Sequence, residues 1–96
     1  MYAQKVRKIF AWDEEKNRKL SKERGVSFQA VVSSIGEGMI IATVARRGKF
    51  SHQKQYLVVI NDYVYIVPFV EEEQRIFLKT IIPSRKMTKR YLFGGD

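Results

Sequence analysis

The residues best suited to chemistry lie toward the end of the chain. From Arg75 to Ile82 the sequence reads Arg-Ile-Phe-Leu-Lys-Thr-Ile-Ile. Strand alternation would put Ile76, Leu78, Thr80 and Ile82 on a core face, and Arg75, Phe77, Lys79 and Ile81 on the opposite one. That second face offers two cations and an aromatic. Arg85, Lys86, Lys89, Arg90 and Tyr91 follow directly. On a helix, Arg85 and Lys89 share one face and Lys86 and Arg90 a neighbouring one. Cations interleaved with an aromatic can hold phosphates and stack a base. The plainer alternative is a solvated helix that keeps a small sheet soluble. A second basic stretch, Arg46, Arg47, Lys49 and Lys54, contains the single histidine, His52. An imidazole there could act as general acid or base near neutral pH, or be an ordinary loop histidine.

Other chemistries find little support. With no cysteine, disulfides, thiolate–zinc sites and thiol nucleophiles are excluded, and a single histidine argues against a histidine-based metal site. No metal ion or cofactor is expected. Glu71, Glu72 and Glu73 fall in an expected turn, where carboxylates are most simply solvated. There is no phosphate-binding GxxxxGK[ST] or GxGxxG pattern, and Gly36 and Gly38 follow a helix rather than a strand. Tyr56, Tyr63 and Tyr65 read as sheet residues. A metal-free route to RNA cleavage stays open. RNA carries its own nucleophile, the 2′-OH. A protein then needs only to align it, relieve it of a proton and neutralise the phosphorane with Lys or Arg.

The elements that must position these groups are legible in outline. Asp13 can cap a helix that runs to Arg24, with Glu14 and Glu15 at its positive end and Gly25 at the stop. Ser27 can cap a second helix, in which Phe28, Val31, Val32 and Ile35 recur at helical spacing. Strands are expected over 39–45, 56–60, 63–70 and 75–82, with Asn61 and Asp62 turning the central hairpin. Pro68 points to an edge or a bulge. Ser84 can cap a short helix from Arg85 to about Leu92, and Lys8 to Ala11 has the residues for a short leading strand. The expected fold class is α+β: two N-terminal helices packed on a four-stranded antiparallel meander, with a short C-terminal helix. One sheet face should be covered by the helices and the other left partly open.

Composition agrees with this frame. The chain has 96 residues, 18 Lys+Arg against 10 Asp+Glu, and a net charge of +8. That length suits one small domain, spanning 1–96, with a thin core. The charge is uneven: +4 over 1–24, −1 over 25–45, +4 over 46–54, −4 over 55–74 and +5 over 75–96. Such clustering is a footprint for a polyanion. No apolar run approaches a membrane span, and the basic start lacks the apolar stretch of a secretory signal. A cytoplasmic location without membrane contact is therefore expected.

The order of motifs resembles a known family. Phe10, Trp12, Asp13, Lys16 and Asn17, then Lys22, Gly25, Val26 and Phe28, look like the opening signature of BrnT-type toxins. The run from Ile81 through Ser84, Arg85 and Thr88 to Arg90 resembles the family's closing segment. The resemblance extends from Phe10 to Tyr91. The chain departs from the pattern at Arg24, where histidine is common, at Lys79, where arginine is common, and at Lys89 and Arg90, near the family's late glutamate. The resemblance implies a RelE/ParE-like fold and a ribonuclease toxin of a type II toxin–antitoxin pair that arrests translation. A cognate antitoxin would silence it, and operator DNA would be contacted only through that complex. Lys79 and Arg85 would then steady the scissile phosphate. Tyr91 or His52 would move a proton or stack a base. Arg75, Phe77, Lys86, Lys89, Arg90, Arg46 and Arg47 would contact the RNA. Two other readings stay open: a non-catalytic module binding nucleic acid or an acidic protein, and a sheet face that docks an antitoxin segment on Phe77 and Ile81.

Overall fold

The computed structural model describes residues 8–45 and 54–94. It is a mixed α+β structure with three helices and a six-stranded sheet. In chain order the elements are β1 (Ile9–Ala11), α1 (Glu14–Arg24), α2 (Phe28–Gly36), β2 (Ile40–Ala45), β3 (Lys54–Ile60), β4 (Tyr63–Glu71), β5 (Arg75–Leu78), β6 (Ile82–Pro83) and α3 (Arg85–Leu92). The expected four-stranded meander is therefore too simple. The sheet order is β1-β5-β4-β3-β2, with β6 paired to β4, and β1 runs parallel to β5.

Local chemistry accounts for the helices. The Asp13 carboxylate accepts from the amides of Glu15 and Lys16, and Gly25 closes α1 in the left-handed region at φ 70°. The Ser27 hydroxyl accepts from Ala30 N–H at the start of α2. Between them sits Asn17, 4% exposed. Its Oδ1 accepts from Phe28 N–H at 2.8 Å and its Nδ2 donates to Gln29 Oε1 at 2.8 Å. A buried amide with its bonds made fixes the angle between two helices that share few apolar residues.

The core lies between these helices and one face of the sheet. Leu20, Val26, Phe28 and Val31 meet Tyr56, Val58, Ile60, Val67, Phe69 and Leu78 there. Trp12 stacks on Phe28 at 5.7 Å, and Tyr56 on Phe69 at 4.0 Å. Asn61 and Asp62 both take positive φ, 52° and 62°, as a tight two-residue hairpin turn requires.

The last strand departs most from expectation. It is two short strands, not one. Phe69 pairs with Leu78, and Ile66 with Ile82. Between those pairs β4 advances three residues and its partner four. One extra residue reverses which side chains face the core. Ile81 is consequently fully buried, while Ile82 is 41% exposed, the reverse of simple alternation. Pro68 marks the place. Its carbonyl accepts from Lys79 N–H at 2.8 Å, and its ring nitrogen has no hydrogen to extend the ladder on that side. The proposed docking face built on Phe77 and Ile81 fails for this reason: Phe77 is half-buried on one face and Ile81 is core on the other.

Candidate nucleic-acid interface

The break after β5 leads directly into α3, and several bonds hold the two together. Ser84 N–H donates to Val64 O at 3.0 Å, and the Ser84 hydroxyl caps α3 by accepting from Met87 N–H at 3.1 Å. Thr88 is the anchor. Its Oγ1 accepts from Val64 N–H at 2.8 Å and donates to Ser84 O at 2.7 Å. It is 3% exposed. From the other side, Arg24 at the end of α1 donates through Nη1 to Ile81 O at 2.6 Å. A charge-assisted bond to a carbonyl in the irregular segment gives that segment a fixed partner.

Because Thr88 faces the sheet, the residues opposite it on the helix face away. Helical residues advance by about 100° each. Lys86 and Arg90 then stand nearly opposite Thr88, with Lys89 and Arg85 toward one flank. All four are exposed, as is Lys79 at the break. Among the described residues none of these five is in an ion pair. Tyr91 is 45% exposed, but by the same rotation it lies on the flank away from Arg85 and Lys89. The structure thus brings Lys79, Arg85, Lys86, Lys89 and Arg90 onto one element and its lead-in, with Tyr91 at the margin.

Arg75 sits differently. Its guanidinium is paired with Glu72 and lies 5.2 Å from the Phe77 ring centre. Beside it, Glu71 accepts from Lys8 at 2.9 Å and from Lys54 at 3.0 Å. The Lys8 hydrogen bond, then that of Lys54, holds the Glu71 carboxyl below the usual glutamate range. Burial, and then the charge of Glu71, pushes the Tyr56 phenol up. Arg46, Arg47 and His52 lie outside the described residues.

Sequence reasoning named Arg24 and Thr88 only as positions in the motifs and missed the role of each. Nothing local reports that of Arg24, since its partner is a backbone carbonyl 57 residues away. Thr88 carries a faint signal: a small hydroxyl four residues after a capping serine, in a stretch otherwise cationic.

Two shallow open depressions lie along α1, lined by Asp13, Glu15, Lys16 and Lys19 and by Glu15, Arg18, Lys19, Lys22 and Glu23. Neither is lined by a residue of α3. No group of three metal-ligating side chains converges among the described residues, and no helix there is long and apolar enough to cross a membrane. The chain matches no family model, no curated protein and no solved structure.

Proposed function

We propose that this protein is an RNA-directed toxin of a type II toxin–antitoxin pair, with a RelE/ParE-like fold and a metal-independent endoribonuclease activity. The observation that carries the reading is the strip formed by Lys79 and α3: five exposed cations with no acidic partner among the described residues. The order of motifs that resembles BrnT-type toxins supports the same reading. Lys79 and Arg85 steady the scissile phosphate and neutralise charge as the 2′-OH attacks it. Lys86, Lys89 and Arg90 hold flanking phosphates. Tyr91 or His52 serves as proton-transfer group. A cognate antitoxin silences the protein by covering the strip.

The test is incubation of the purified chain with single-stranded RNA in EDTA. The wild type should yield fragments, and the Lys79→Ala/Arg85→Ala variant should lose at least about tenfold in rate. Equal cleavage by both removes these residues from the site. Induced expression should arrest growth.

One observation favours a second reading. The strip is an exposed helix face, and the depressions of the surface described above lie elsewhere, whereas catalytic sites are usually concave. A protein that binds RNA without cutting it fits that shape. It would show salt-sensitive binding with no products.

A further inference from the structure

Phe93 is the most exposed large apolar side chain of the described residues, at 72%. It lies just past α3, and its N–H still donates to Lys89 O at 3.3 Å, so its Cα follows the helical path. With Thr88 anchored to the sheet, that rotation places Phe93 within about 40° of both Lys89 and Lys86 and about 60° from Arg90. Arg85, Lys89 and Phe93 are each four residues apart, a row with neighbours about 5–6 Å from one another. Tyr91, by contrast, is turned more than about 90° away from Lys86 and Lys89. The aromatic within the cationic face is therefore Phe93.

We infer that Phe93 is a base-stacking residue and that the strip binds single-stranded rather than duplex RNA; this rests on the RNA-directed reading above. Cations alone do not distinguish the two, since both present phosphates. A ring can stack only on a base that has left its own stack, which a single strand offers and a duplex withholds. The cations on either side of the ring would hold the phosphates that flank the stacked base. Among the described residues the ring is absent from the core and from the aromatic pairs.

The experiment measures binding of the full chain by fluorescence anisotropy to three 12-nucleotide 2′-O-methyl RNA probes, which lack the nucleophile. They are an unstructured single strand, the corresponding duplex, and a single strand with most bases removed. The wild type should bind the intact single strand at least about fivefold more tightly than either of the others. Phe93→Leu should lose that preference while binding the duplex and base-poor probes as the wild type does, and Phe93→Trp should keep it. A Phe93→Leu variant that retains the preference overturns the inference and leaves the cationic strip standing. A wild type that binds none of the three overturns both readings. Tighter binding to anionic lipid vesicles than to RNA, lost in Phe93→Leu, overturns the inference in favour of a membrane surface.

Discussion

The two basic ends of β5 use their charge in opposite ways. At the β4–β5 turn, Glu71 takes Lys8 and Lys54 while Glu72 takes Arg75. Three cations there already pair with two carboxylates, which offset most of their charge. At the other end, Lys79 and the four cations of α3 form no ion pair among the described residues. An incoming phosphate would have to break an ion pair at the turn, and would meet only water-solvated charge on α3. A net charge of +8 overstates what is available for binding. What matters is which cations the fold leaves without a partner.

Neutralising α3 tests this difference most severely. Lys86→Gln/Lys89→Gln/Arg90→Gln should weaken binding to single-stranded RNA by about a hundredfold at low salt and flatten the log–log salt dependence by roughly 2, since each lost phosphate contact on a single strand removes about 0.7. Anisotropy titrations at several salt concentrations measure both. An unchanged slope would place the phosphate contacts elsewhere.

The support beneath the strip is the next target. Thr88→Val keeps the shape but leaves Val64 N–H and the Ser84 carbonyl without that hydroxyl. An unsatisfied buried amide costs about 1–3 kcal/mol, so urea unfolding should show a loss in that range. Thr88→Ser should restore most of it. No loss from Thr88→Val would mean that α3 is not held as described.

The paired cation should respond weakly. Arg75→Gln should change RNA affinity by no more than about twofold, because the Glu72 carboxylate beside it offsets its attraction for a phosphate. A loss equal to that of the α3 variants would erase the distinction between the two ends.

The smallest effect concerns Glu71 and has a definite sign. Its carboxyl titrates below the ordinary glutamate value in the folded state, so the folded state favours the charged form. That contribution is full above the unfolded value of about 4.3 and fades as pH falls through the folded one. Thermal melts of wild type and Glu71→Gln should differ slightly at pH 7 and converge under acid conditions. A difference that grows on acidification would contradict the assigned pairing.

Short-range chemistry was legible because its partners are neighbours in the chain. Asp13, Gly25, Ser27 and Ser84 mark the ends of three helices by bonds that span only a few residues. The Asn61–Asp62 turn follows from residues that tolerate positive φ. The last strand was misread for a different reason. Its alternate positions Ile76, Leu78, Thr80 and Ile82 read as one continuous face, and the break falls opposite Pro68 on the neighbouring strand. No pattern within the segment itself could report a missing donor across the ladder.

The same division holds for the candidate site. The sequence by itself determined that a dense cationic segment follows a strand, that a capped helix carries it, and that neither cysteine nor a second histidine is present. Composition and local capping decide those points. Only the tertiary structure decided which charges stay free and which way they point. Arg75 is paired because a tight turn returns Glu72 to it. Ile81 is buried because one extra residue reverses the faces. Lys86 and Arg90 face outward because the Thr88 hydroxyl binds a sheet amide 24 residues away. Each of these depends on contacts between segments, which exist only once the chain has closed on itself.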